Sequence, residues 1–274
     1  MEKKNRIVFD DFKNIFSHLS SLTWKNEIDD ELIFDIASKN YKNITNGHTK
    51  NKNIFRLVGQ SGSGKTTQLL PAAKECFSKK NINPICFSVR KFAQLHPKYD
   101  ELLKEYGKAE IREKTNGFAL KCLLVTLILA MSEGYDIIFE VTLLSFEFEK
   151  FINLYLDIFD YKMILFCLAV NKEISDYFIS KRQQNSLIEG SRKVYKASAD
   201  FFYDSMEKSL IFLSKESPKR RIIIWNAFDE LPKYDGNIES CIEVFKNEQK
   251  KTSNNFNDEK KLLDAKIDYL LKEV

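Results

Sequence analysis

Ile54-Phe55-Arg56-Leu57-Val58-Gly59-Gln60-Ser61-Gly62-Ser63-Gly64-Lys65-Thr66 is the stretch that decides the fold. Its first five residues form a short, mostly apolar run, the pattern of a buried strand. Gly59 to Thr66 then fits G-x-x-x-x-G-K-[ST] at every position, and residues 65–77 continue as a helix. Strand, Gly-rich turn and helix in that order build a phosphate cradle. The glycines allow a tight backbone whose N–H groups converge on phosphate oxygens, and the helix N-terminus adds partial positive charge. Lys65 is placed to reach β and γ phosphates, and Thr66 to set its hydroxyl on Mg²⁺. The expected nucleotide-binding set is therefore Gly59, Gln60, Ser61, Gly62, Ser63, Gly64, Lys65, Thr66 and Thr67, with Thr66 as the metal ligand.

Outward from this stretch, further strands are expected at 85–89, 135–140, 161–170 and 221–225. Helical spacing fills 102–113, 116–133, 147–159, 173–184 and 197–213. Such alternation implies an α/β fold of the P-loop NTPase type, a parallel sheet flanked by helices. Upstream, Asp10 or Asp11 and then Asp29-Asp30 cap two helices, so the first 50 residues read as helical without much core. Downstream, 246–259 reads as a polar linker. Residues 258–272 regain helical spacing through Leu262, Leu263, Ile267, Leu270 and Leu271, and that helix is expected to dock on its own domain. The organisation is thus an N-terminal helical segment (1–53) packing on the core, a P-loop domain (54–245), and a linker with a terminal helix (246–274).

The 274 residues suffice for one large domain or two small ones, and the 43% hydrophobic fraction argues against disorder. A formal charge of +4, from 43 basic against 39 acidic residues, demands no nucleic acid. The N-terminus lacks the apolar core of a secretory leader. The apolar run Cys122 to Met131 is about half a membrane span and reads as a buried helix. Five scattered cysteines without a CxxC pair read as reduced core thiols of a cytoplasmic protein. His18 and His48 lack metal-ligand spacing, and His96 before Pro97 reads as fixing a turn. Trp24 and Trp225 read as packing residues. Lys219-Arg220-Arg221 reads as solvated surface, with contact to an adenine-proximal phosphate or a partner as the alternative. Arginine is scarce, only eight in the chain, so each interior one carries information.

The cradle alone does not choose among motors, GTPases and small-molecule kinases. No NKxD stretch is present for guanine, since Asn171-Lys172-Glu173-Ile174 fails at its last position. Motor ATPases typically end the second acidic strand in two acids, whereas here Phe139 is followed by Glu140 alone. A compact kinase remains.

Four further segments fit that class. They are His96-Pro97-x-Tyr99 with Asp100-Glu101-Leu102 and Tyr106-Gly107, the strand end Gly134 to Thr142, Arg182, and Arg192 followed by Lys196 and Asp200. With Phe9-Asp10-x-Phe12 and the phosphate loop, their order and spacing resemble the zeta toxin family over roughly residues 8–230. The resemblance implies an ATP- or GTP-dependent, Mg²⁺-requiring kinase that phosphorylates a sugar hydroxyl of UDP-N-acetylglucosamine, so blocking cell-wall synthesis. It also implies a small helical antitoxin as partner, while the mild charge and the short apolar run lead us to expect neither nucleic acid nor membrane. Lys65, Arg182, Arg192 and Glu140 would be catalytic, the arginines clamping the transferring phosphoryl group. Ser88, Arg90, His96, Glu140 and Thr142 would line the acceptor site.

The chain departs from the family pattern where an Asp is expected as general base. That position is Arg90, six before His96, and no Asp or Glu lies between Lys80 and Tyr99. Val141, Leu144 and Leu123 or Leu124 stand where the family has Gly, Arg and Glu. Three readings stay open: catalysis with Glu140 taking the proton late, an altered site for an anionic acceptor such as a nucleotide, and a nucleotide-binding relative without catalysis that acts through partners.

Overall fold

The computed structural model describes residues 7–21, 27–140, 145–189, 196–251 and 259–273. It begins with a 3-10 turn (Phe9–Phe12) running into α1 (Lys13–Ser21), followed by α2 (Asp30–Ile44). The side chain of Asp29 caps α2 by accepting from the Glu31 and Leu32 N–H groups. The α/β body then runs β1 (Asn53–Gly59), a π turn (Lys65–Leu69), α3 (Leu70–Lys79), β2 (Ile85–Ser88), α4 (Val89–Ala93) and α5 (Tyr99–Ser132). It continues through β3 (Ile137–Glu140), α6 (Phe146–Ile158), β4 (Lys162–Ala169), α7 (Lys172–Glu189) and α8 (Lys196–Glu216). Last come β5 (Arg221–Asn226), β6 (Tyr234–Asn237), α9 (Ile242–Lys250) and α10 (Glu259–Glu273).

The strand order is β2-β3-β1-β4-β5-β6. The first five strands are parallel, and β6 is an antiparallel edge strand on β5. The expected α/β sheet is therefore present, with β6 as an addition. Tyr234-Asp235-Gly236-Asn237 has no apolar run and becomes a strand only by pairing with β5. Because the central strands are buried on both faces, their residues are apolar almost without interruption.

One face of the sheet packs on α5, α6 and the N-terminal helices. There α5 carries Glu110–Ser132, long and apolar enough to cross a membrane but buried in the core of this fold. Its upper end breaks at Gly107, whose φ of 70° and ψ of 175° interrupt the helix. The other face packs on α3, α7 and α10.

Three expectations change. The N-terminal helices bring Phe12, Ile15, Phe16, Leu19, Ile33, Ala37 and Tyr41 into the main core, more than their sparse apolar spacing suggests. They are pinned by Lys121 of α5, buried at 1% exposure, whose ammonium reaches Asp30 (2.5 Å) and Ser20 (2.6 Å) over the Phe16 ring. Residues 246–250 are not linker but the end of α9, where Phe245 fills the core and Glu248 and Gln249 are also buried. Finally, Lys219-Arg220-Arg221 lies at the start of β5, the opposite sheet edge from the phosphate loop. Arg220 pairs with Asp157 and Arg221 forks onto Asp235 (2.8 and 2.7 Å), so the cluster does not reach a nucleotide phosphate.

The terminal helix docks on its own domain: Ile267 and Leu270 are buried beside Leu69, Ala72 and Ala73. All five cysteines are free, and only Cys86 is partly exposed. Burial pushes the Cys76 thiol up to about 11 and Cys241 up to about 12, so both stay protonated at neutral pH.

Candidate active site

The phosphate loop crosses from β1 to the π turn at the C-terminal rim of the sheet, where ligands of open α/β sheets gather. Gly64 adopts a left-handed φ of 96°, which a β-carbon would strain. At Gly62 (φ 79°) a Cβ would sit 2.4 Å from the Ser175 carbonyl oxygen and 3.1 Å from Ile179 Cγ1. Glycine is needed there because α7 presses directly onto the loop. The Ser175 hydroxyl donates to the Ser61 carbonyl, and Gln60, buried, donates its amide to the carbonyl of Val170. The loop is thus tied to the end of β4 by its Gln60 side chain and to α7 by the Ser175 hydroxyl.

The Lys65 ammonium donates to the carbonyls of Gly59 and Gln60, at 2.9 Å to the latter. Thr67 bonds back to the Gly64 carbonyl at 3.3 Å. The Thr66 hydroxyl donates to Glu140 Oε1 at 2.5 Å, across 74 residues of sequence. Glu140 stands at the end of β3, level with Leu57 of β1 and Ser88 of β2. A hydroxyl beside a carboxylate suits a hard divalent cation, which Mg²⁺ binds with few protein ligands and several waters. Among the described residues no cluster of three His, Cys, Asp or Glu forms a protein-only cage.

Of the expected acceptor residues, Ser88 is half-buried at the end of β2 and Arg90 is exposed in the first turn of α4. His96 is buried. Its Nδ1 accepts the Lys98 N–H (3.2 Å), its carbonyl accepts the Tyr99 N–H, and its ring lies edge-on to Phe118. It shapes the turn into α5, and burial with the nearby Lys98 charge lowers its pKa. Thr142 and Arg192 lie outside the described residues. Arg182 lies in α7, seven residues or about two turns beyond Ser175, and its side chain is outside the described set. Asp200, expected beside Arg192, pairs with Lys172 at 2.8 Å.

Sequence reasoning missed the fully buried pair Arg56–Glu149. Arg56 of β1 grips Glu149 of α6 through both guanidinium ends (2.5 and 2.7 Å), three residues before the phosphate loop begins. Charges in a core strand and an amphipathic helix were the only signals. Near by, the His18 ring lies 2.7 Å from the Ser145 hydroxyl that caps α6.

Fold and site together define a P-loop protein of kinase type. The chain belongs to the zeta toxin family, whose model matches residues 38–239. It is similar to a structure from the PezAT chromosomal toxin–antitoxin system of Streptococcus pneumoniae. The TM-score is 0.66 at 24% identity, covering 90% of this chain and 98% of that one. A Chloroflexus aurantiacus protein inferred to be a kinase gives a TM-score of 0.39 at 14% identity, over 58% of this chain and 80% of that one, too distant to argue from. No curated protein matches.

Proposed function

We propose that this chain is an ATP- or GTP-dependent kinase that transfers the γ-phosphate to a sugar hydroxyl of a UDP-activated amino sugar of the UDP-N-acetylglucosamine type. The observation that carries the reading is the Thr66–Glu140 hydrogen bond beside a complete phosphate loop. It joins the phosphate side to the strand end where an acceptor would lie. Thr66 and, through water, Glu140 would hold Mg²⁺, which shields phosphate charge when bound. Lys65 would move from loop carbonyls to phosphate oxygens. Ser88 and Glu140 would orient the acceptor, and Glu140 would take the hydroxyl proton late, since phosphoryl transfer relies more on positioning than on early deprotonation. Arg182, on the helix that Ser175 anchors to the loop, would reach the transferring group together with Arg192. A small helical antitoxin restraining this site fits the origin of the S. pneumoniae relative.

A second reading has its own observation. Arg90 is exposed beside Ser88, where the family places an acid, which favours an acceptor carrying its own anionic group. Incubation with labelled ATP·Mg²⁺ and a panel of sugar nucleotides and nucleotides separates the two by which acceptor is labelled. Absence of transfer to any acceptor, with ATP bound by the native chain and lost in Lys65→Ala, would leave a non-catalytic nucleotide binder.

A further inference from the structure

A buried ion pair is a poor device for stability. Taking both charges out of water costs so much that apolar residues of similar volume often hold a core as well or better. Arg56 and Glu149 are nonetheless both fully buried. What a guanidinium–carboxylate fork does supply is geometry, because two parallel bonds fix a distance and an angle together. Both bonds are made here, at 2.5 and 2.7 Å.

The elements joined are those that flank the acceptor side. Arg56 is level with Phe139 in the β1–β3 register, and its guanidinium lies 5.6 Å from the centre of the Phe139 ring. The next residue, Glu140, accepts from the Thr66 hydroxyl. Glu149 lies in the first turn of α6, and its N–H donates to the carbonyl of the capping Ser145 at 3.0 Å. From the other side, His18 of α1 holds the same turn. Its Nε2 is 2.7 Å from the Ser145 hydroxyl and 3.4 Å from a Glu147 carboxylate oxygen. Arg56 itself stands three residues before Gly59, on the strand that enters the phosphate loop. One side chain therefore refers the end of β3 and the start of α6 to the strand that carries the loop.

We infer that Arg56 and Glu149 are positioning residues for phosphoryl transfer: their fork fixes Glu140 and the first turn of α6 against the phosphate loop, and so sets the distance between acceptor hydroxyl and γ-phosphate. The inference rests on the kinase reading above and adds to it a pair that touches neither nucleotide nor acceptor. A displacement of about 1 Å at a reacting group costs about 10²-fold in rate, so a fork inside the core is enough to govern the chemistry at the rim.

The test compares the full chain with the double variant Arg56→Met, Glu149→Leu, which replaces the pair by apolar side chains, and with Arg56→Lys, which keeps the charge and loses the fork. Three quantities are read: affinity for a non-hydrolysable ATP analogue with Mg²⁺, kcat for transfer from ATP to UDP-N-acetylglucosamine, and amide hydrogen exchange over residues 145–152. In the double variant the analogue affinity is expected to stay native, kcat to fall about 10²-fold, and exchange at the start of α6 to quicken, with Arg56→Lys intermediate. A folded double variant with native kcat, or with analogue affinity lost in step with kcat, overturns the inference. Where the double variant fails to fold, Arg56→Lys decides by the same split. A native chain that does not phosphorylate UDP-N-acetylglucosamine removes that acceptor reading instead. Exchange then judges the fork alone, and native rates in the variants overturn it.

Discussion

On the β4/β5 side of the rim, Gln60 and Ser175 fasten the phosphate loop, and the buried Lys266 ties α10 to the loop after β5. On the β2/β3 side, Ser88 and Glu140 stand half-buried at strand ends and Arg90 is exposed in the first turn of α4. The first side is finished by packing, whereas the second leaves its polar groups available to a ligand. A phosphate loop must be preorganised to be useful, because donors that are already aimed need no rearrangement when charge arrives. Residues on that side can differ without disturbing the core, because side chains such as that of Arg90 are not packed into it.

The largest expected effect crosses both sides. Glu149→Leu leaves Arg56 charged and unpaired in the core and should cost about 3–5 kcal/mol, read by denaturant unfolding. If the double change Arg56→Met, Glu149→Leu restores most of that stability, the pair serves geometry more than net stability. Lys65→Ala should lower phosphoryl transfer by about 10²–10³-fold with the fold intact, by analogy with removal of one preorganised donor. Transfer that survives would detach the loop from the chemistry. Arg90→Ala should raise the acceptor KM by about tenfold or more without changing ATP affinity, the loss of one charge-assisted hydrogen bond. A change in ATP affinity instead would erase the contrast between the two sides.

The smallest effect lies in pH. Burial lowers the Lys266 pKa to about 8, against the attraction of Asp229. Below pH 8 the folded and unfolded chains are both protonated there. Between about 8 and the ordinary lysine value the unfolded chain binds more protons, so stability rises with pH. The native chain should gain about 1 kcal/mol relative to Lys266→Met between pH 8 and 9, measured by thermal unfolding. Parallel pH curves for the two proteins would contradict this.

The five parallel strands were legible because buried strands are continuous apolar runs, and the phosphate loop because its chemistry fixes residue types at fixed spacing. β6 escaped because a polar edge strand takes its structure from its neighbour. α9 escaped because its helix buries Glu248 and Gln249 where apolar residues are expected. At the site, Glu140 was readable as a strand-end acid, but its partner Thr66 lies 74 residues away, and one sequence carries no trace of that pairing. Arg56 looked like an ordinary strand residue for the same reason, since Glu149 is 93 residues downstream. The arginine scarcity pointed to interior arginines, and among the described residues Arg56 is the arginine fully buried in the core.

The buried Lys121 has a consequence for how this chain can be divided. The family match opens at residue 38, inside α2, yet Lys121 sits in the central helix with Asp30 and Ser20 as partners. A chain cut at the homology boundary would strand an ammonium in an apolar trough and uncover the phenylalanine bed that Phe12 and Phe16 complete. The recognisable family segment is therefore shorter than the cooperative unit. Expression of residues 38–239 alone should give an aggregating product rather than a minimal enzyme.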